Sequence, residues 1–560
     1  MPDALARDAQ ACKAWQLSRF GYLPKTWWLD PSWVCVRLAR AAWKASADGS
    51  RIRKRLFTQL NSVLTGADVE PDSRIGGGLL VQFPVGVSLW LDAGENVTIG
   101  PIAGSGSTIL DADRSTAVRA GDNVTLGGFT GVQGSILLGD GCFIAPGGGA
   151  LKDVAAGQVS DLVRPMRITP TESNGVLSSV RASRSSRCHH RTFAEAVRDW
   201  RADLRRLQSE SARFDENASQ PGLASLAFTN QSIAILLHRL AHWLWSRGLK
   251  RASGIFASIN RYVFKLTIHP SACLGSGLWL PHLAGTVIRG AAGKNMIGFS
   301  MFYAGNSLGP FGDEDEHPVV GDDVLVAAHA GVFDGAAAGD AARVSRKANC
   351  QHGIPSGSTA FAEGSIVKTF ETIDVPVRSV REFPLPDMAE LRAADRTARQ
   401  SYEREHGRLP LQSRLAVALF RKAQRALMAG HLRRSRWWWL ISSYLTGADI
   451  APRSAIGPGL VIVCPAGTSF DGAAIAGLTL VGQCFVGGVL TADRTLCDPR
   501  QTPAFGTDVV VKPHVAIYGG CAIGDRVVFE PGSVIRHDVP SDMTVHPPKL
   551  RNMSSDGVKG

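Results

Sequence analysis

A column of apolar residues at a strict spacing of six limits this chain more than any other feature. Toward the C-terminus, Phe505, Val511, Ile517, Ile523, Phe529 and Ile535 recur at every sixth position. A second column, Val509, Val515, Cys521, Val527 and Ser533, lies two residues earlier. The same beat runs through Val320, Val326, Val332, Ala338, Val344 and Cys350, and through Leu126, Val132, Leu138 and Ile144. Gly, Asp and Asn fill the intervening positions, as in GDNV, GDDV and GDRV. An α-helix repeats at about 3.6 residues and a simple strand at about two, so neither carries this pattern. A triangular solenoid does, with one short strand and one turn per side. Stacking its coils buries a continuous aliphatic ladder. The expected fold is therefore mainly β.

The solenoid occurs three times. Residues 65–79 read TGADVEPDSRIGGGL, residues 267–278 read TIHPSACLGSGL, and residues 446–460 read TGADIAPRSAIGPGL. Each is followed by a matching corner: Phe83-Pro84-Val85-Gly86, His282-Leu283-Ala284-Gly285 and Cys464-Pro465-Ala466-Gly467. Before each motif lie stretches with apolar residues at three-and-four spacing and basic residues between, such as RIRKRLFTQLNSVL, SIAILLHRLAHWLW and RLAVALFRKAQRALM. These predict a helical pair ahead of each prism. The reading gives a first unit over 1–170, a linker over 171–222, a second unit over 223–376, a linker over 377–412 and a third unit over 413–560. Both linkers mix Ser, Arg, Pro and acids, and each includes a charged helical stretch.

Composition agrees with a narrow, tightly turning architecture. Among 560 residues there are 60 glycines, and aromatics make up only 7%. A net charge of +12 favours an anionic partner, but the bases are scattered and no nucleic-acid motif appears, so nucleic acid is not expected. Ten cysteines without a CxxC pair read as reduced thiols rather than a disulfide framework. No apolar run reaches the roughly 18 residues of a membrane span, and the N-terminus lacks a signal-like apolar region. The expected location is the cytoplasm.

TIHPSACLGSGLWLPHLAG and the later DEHPVVGDDVLVAAHAGVFDG carry a resemblance to the serine O-acetyltransferase family and its polysaccharide acetyltransferase relatives. The resemblance extends over most of the chain, three times. It implies a left-handed parallel β-helix of hexapeptide repeats, acetyl-CoA as acyl donor and no metal. Family members are similar in forming homotrimers with sites between neighbouring prisms. Three fused copies thus imply a monomeric pseudo-trimer whose sites are free to diverge.

Within the resemblance, His282 stands at the family's catalytic histidine and His317 at its second active-site histidine. The counterparts of His282 are Phe83 and Cys464, and those of His317 are approximately Ser115 and Thr502. Only the second unit keeps both imidazoles. An alcohol is a poor nucleophile, so a base must take its proton as it attacks the thioester, and imidazole suits that role near neutral pH. A backbone N–H in a Gly-rich turn can receive the developing oxyanion. Thr267 replaces the family's orienting aspartate, which Asp68 and Asp449 keep in the other units, and Pro281 replaces the acid before the base. The second departure favours a sugar or another hydroxyl over serine. Arg346 and Lys347, late in the second prism, are placed either to meet coenzyme A phosphates or to lie as solvated corner residues.

The function expected is acetyl-CoA-dependent O-acetyl transfer to a hydroxyl of a small molecule or sugar. The alternatives are a catalytically degenerate scaffold or partner subunit, and an N-acyltransferase. His238 and His242 read as helix packing rather than a zinc pair, Cys464 as a corner filler, and Cys188-His189-His190 as exposed loop. Trp437-Trp438-Trp439 after Arg433-Arg434 reads as a helix packed on its own prism, with a membrane-surface face as the alternative.

Overall fold

In the computed structural model, the described residues are 2–20, 22–106, 118–150, 152–160, 167–170, 192–213, 222–299, 302–311, 317–351, 353–362, 387–488, 502–547 and 550–553. Ser115, Cys188, His189 and His190 lie outside them. The chain divides into two compact bodies. One holds Met1–Pro170, Gly364–Ser401 and Pro410–His546, and so copies one and three. The other holds Thr171–Glu363, Tyr402–Leu409 and Pro547–Gly560, and so copy two.

Each copy is a parallel β-helix. Successive short strands pass in turn to three different sheets, so that every coil contributes one strand to each side of a triangle. Copy one builds sheets of five, four and five strands, copy two five, four and four, and copy three five, four and five, before one added strand extends a sheet of copies two and three. Register gives the coil length directly. Val511 pairs with Phe529 and Ile517 with Ile535, eighteen residues on, which is three hexads. Both apolar columns point inward: Val509, Val511, Val515, Ile517, Val527 and Phe529 are all fully buried. One last strand closes a sheet in each body. Arg167–Pro170 runs antiparallel to Met543–His546, and Leu550–Met553 runs antiparallel to Thr359–Ala362.

The Gly-Asp pairs between the ladders have a mechanical role. Asp340 Oδ1 accepts the backbone N–H of Asp322, and Asp322 Oδ1 accepts that of Lys294, so aspartates tie coil to coil along one corner. Gly321 lies under Asp340, and a Cβ there would stand 2.3 Å from Asp340 Oδ1. Glycine is needed because the carboxylate occupies the space.

Ten helices are described: α1 (Pro2–Phe20), α2 (Pro31–Ala47), α3 (Arg51–Thr65), α4 (Phe193–Arg213), α5 (Leu223–Leu226), α6 (Asn230–Ser246), α7 (Lys250–Val263), α8 (Met388–His406), α9 (Leu411–Met428) and α10 (Leu432–Thr446). The helical pairs are α2/α3, α6/α7 and α9/α10. Asp30 caps α2, accepting from the N–H of Ser32, with Pro31 at the first helical position. Gly66 and Gly447 end α3 and α10 at φ 75° and 71°. In copy two that left-handed position is held by Lys265, at φ 54°.

Helices α4 and α8 fall inside the segments 171–222 and 377–412, and α1 opens copy one. All three make the same contact. Asp8, Asp203 and Asp395 receive two N–H groups each from Arg40, Arg239 and Arg421 on the next long helix. Each arginine also donates to two carbonyls of the first coil, as Arg421 does to Ile456 and Gly457.

Candidate functional site

A defect in the solenoid builds the corner that carries His282. Strands of the first and second coils pair eighteen residues apart on two sides, as Cys273 does with Ala291 and Trp279 with Ile297. On the third side the step is twenty, from Thr267 to Val287. The two additional residues lie between Leu280 and Thr286, and they carry the imidazole out of the regular ladder. Copies one and three have the same twenty-residue step, Asp68 to Ser88 and Ala448 to Thr468.

The corner backbone is anchored from several sides. Gln231, in the first turn of α6, donates to the carbonyl of Pro281 at 3.1 Å. The Thr286 hydroxyl donates to the carbonyl of His282 at 3.5 Å. The Gly285 N–H donates to the carbonyl of Lys265 at 2.9 Å. The His282 ring is half-buried and lies 6.4 Å from the ring of Phe299, which in turn meets Trp279 edge-on at 5.7 Å. The imidazole is thus held by an aromatic wall and is partly reachable. Its counterparts differ: Phe83 and Cys464 are 2% and 4% exposed.

His317 has different surroundings. It is buried, and its Nδ1 accepts the N–H of Asn306 at 3.3 Å. It belongs to a group with His269 and Arg289. His269 bonds the Ser271 hydroxyl through Nδ1 at 2.7 Å and meets Trp245 and Phe311 edge-on. Burial lowers the pKa of His269 well below its ordinary value, and the charges of Arg289, His317 and Arg261 add to the effect. Arg289 donates to the carbonyl of Pro310. His317 ends an excursion from the coil. Tyr303 and Gly331 pair twenty-eight residues apart, ten more than a regular coil, and that insertion reaches almost to His317. Sequence reading passed over His269, although the H of TIHP was its signal.

Thr267 is buried in the first strand of copy two, in register with Val287. Arg346 and Lys347 sit at a turn before the strand Asn349–Cys350. Burial pushes the Arg346 guanidinium down to about 10, and Lys347 takes φ 59° with its carbonyl accepting from the Asn349 amide.

Copies one and three show what becomes of such a corner without histidine. A cleft between them is lined by Phe83, Gln82, Trp15, Arg19, Asp449 and Phe485. Arg19, from α1, reaches into it and pairs with Asp449, the residue at the position Thr267 holds in copy two. The Trp439 indole N–H donates to the same carboxylate at 2.8 Å. In this body the chain's own first helix occupies the cleft.

Other histidines and cysteines have structural places. His242 Nδ1 lies 2.9 Å from the carbonyl of Pro270, and His238 is buried beside it. Cys464 is a buried strand residue. Among the described residues seven cysteines are free and buried. Among the described residues no helix is long and apolar enough to cross a membrane, and no group of ligating side chains is arranged for a metal.

No family profile matches the chain. Individual proteins do. A serine acetyltransferase of Helicobacter pylori is 34% identical over 139 residues, which are 24% of this chain and 78% of the relative. A serine acetyltransferase of Mycobacterium tuberculosis is 34% identical over 126 residues, 22% of this chain and 53% of the relative. The chain spans about half the length of the first such relatives, 53% and 42% of two of them. Among solved structures, a serine acetyltransferase of Neisseria gonorrhoeae aligns over 32% of this chain and 70% of its own, at 25% identity and a TM-score of 0.27.

Proposed function

Because the chain belongs to the serine acetyltransferase family, we propose that its second copy transfers an acetyl group from acetyl-CoA to a hydroxyl of a small molecule or sugar. One observation carries the reading. At the same twenty-residue corner, His282 is half-buried beside an aromatic wall, while Phe83 and Cys464 are packed away. His282 takes the hydroxyl proton as the oxygen attacks the thioester carbonyl, and returns it to the departing thiolate. Thr267 stands where an aspartate would orient the ring. The backbone anchors from Gln231, Thr286 and Lys265 hold the corner instead. His317 positions the acceptor, and Arg346 with Lys347 meets coenzyme A phosphates. Pro281, in place of an acid, removes a partner for an amino-acid ammonium and favours a sugar hydroxyl.

The test is thiol release from acetyl-CoA by the full chain, with serine, sugars and sugar nucleotides as acceptors. His282→Ala is expected to lower turnover about 10²–10⁴-fold. Unchanged turnover would remove the assignment. If the full chain neither binds nor consumes acetyl-CoA, the scaffold reading takes its place. We also propose that the chain is a monomeric pseudo-trimer. Light scattering should give the mass of one chain.

A further inference from the structure

One helix in each copy shows the same unusual face. On α3 the exposed series is Ile52, Leu56, Leu60 and Leu64. On α7 it is Ile255, Ile259 and Val263. On α10 it is Trp437 and Leu445, with half-buried Ile441 between them. Spacing of four puts each series on one side of its helix. Ile52 is 84% exposed, Ile255 62% and Trp437 47%. Aligned on Gly66, Lys265 and Gly447, the registers coincide. Leu64, Val263 and Leu445 are equivalent, as are Leu56, Ile255 and Trp437.

The buried faces of α3 and α7 are small or polar, whereas α10 also buries Trp439 and Leu440. The buried residues of α3 are Asn61 and Thr65, and those of α7 are Ser253, Ala257 and Asn260. Asn61 and Asn260 bond carbonyls of the neighbouring helix, at Cys35 and Ala234. A helix needed only for packing would point its aliphatic stripe inward. Here the stripes of α3 and α7 face out, and the matching positions Trp437 and Leu445 of α10 are exposed as well.

Charge accompanies the stripe. Helices α3, α7 and α10 contain no Asp or Glu. Each opens on two exposed bases: Arg51 and Arg53, Lys250 and Arg251, Arg433 and Arg434. Cations at a helix N-terminus oppose the macrodipole, so helix stability does not account for them. Along α7, Arg251 lines the same open hollow as Ile255 and Ile259.

We propose that these three helices are docking faces for an anionic lipid surface. The aliphatic and Trp437 side chains enter the headgroup boundary, and the first-turn cations lie against acidic headgroups. Pairing with a second copy would bring like charges together with no acid on these helices to offset them. Nucleic acid would leave the aliphatic stripe without a partner. The inference does not depend on the acetyl-transfer reading.

The test is co-sedimentation of the full chain with vesicles of phosphatidylcholine and phosphatidylglycerol in equal parts, against phosphatidylcholine alone. Binding is expected to the anionic vesicles only, and to fall about tenfold at high salt. The combined variant Leu56→Glu, Ile255→Glu and Trp437→Glu, and separately Arg51→Gln, Arg53→Gln, Arg433→Gln and Arg434→Gln, should each lower binding about tenfold with unchanged circular dichroism. The charge variant leaves every packed residue in place and serves if the first does not fold. Three outcomes overturn the proposal: no binding of the wild-type chain to anionic vesicles, equal binding by folded variants, or a wild-type dimer that the Glu variant converts to a monomer.

Discussion

Arg239 and Asp203 meet through two parallel N–H···O bonds of 3.0 Å each, from Nε and Nη2, with both side chains almost completely buried. The Asp203 carboxylate also accepts the N–H of Leu278, and Arg239 donates to the carbonyls of Leu274 and Gly275. One ion pair therefore joins α4, α6 and the first coil of the prism that carries His282. Asp203→Asn keeps the volume and removes the charge opposite a buried guanidinium. The expected cost is about 3–5 kcal/mol, read as a fall in the thermal midpoint of the body that holds copy two. A midpoint within a degree or so of wild type would show that α4 is not part of the structural unit.

Arg19 is expected to be as demanding. It pairs with Asp449 and lies 5.0 Å from the ring of Trp439, all in the buried cleft of copies one and three. Arg19→Ala leaves the carboxylate with the Trp439 indole but no cation. A loss of about 3–5 kcal/mol is predicted. Asp449→Asn combined with Arg19→Met should recover much of it, because the buried charge is then gone from both sides. A double-mutant cycle by chemical denaturation separates the two cases.

Both arrangements mark the limit of the sequence reading. The prisms were legible because their period is local: Val511, Ile517 and Ile523 repeat within a few residues and nothing else explains them. The corner that carries His282 was legible because Phe83-Pro84-Val85-Gly86 and Cys464-Pro465-Ala466-Gly467 repeat it, while His282 itself was singled out by the family resemblance. The Arg–Asp clasps were not, because Asp203 and Arg239 are thirty-six residues apart and share no period. As a result α4 and α8 read as charged stretches within linkers, although each contributes the acid that fixes its copy. The pairing of Arg167–Pro170 with Met543–His546 is likewise fixed by tertiary structure alone. His269 was visible as a letter, but its neighbours Arg289, Phe311 and Trp245 come from other coils and a helix.

Gly321 tests the Gly-Asp corner. A methyl group there would contact Asp340 Oδ1 at 2.3 Å, and the carboxylate is held by the N–H of Asp322. Gly321→Ala must displace Asp340 and break that bond. The predicted cost is about 1–3 kcal/mol. Gly321→Ala with Asp340→Ala should be milder than the sum of the single changes, since the clash then has no partner. Additive losses would show that the strain lies in the backbone.

Acid should weaken copy two, and His269 gives the direction. Its pKa is lowered well below 6.5 by burial, then by Arg289, His317 and Arg261. The unfolded chain binds a proton at about pH 6.5, whereas the folded chain takes it only at much lower pH. Between those limits the unfolded state holds more protons, so stability is complete above about pH 6.5 and falls as the pH drops below it. The thermal midpoint should therefore fall between pH 7.5 and pH 5.5, and His269→Gln, which does not titrate, should flatten that dependence. The variant also keeps a polar group facing Ser271, so its midpoint at pH 7.5 reports the packing cost separately. An equal slope in wild type and variant would place the acid sensitivity on another group.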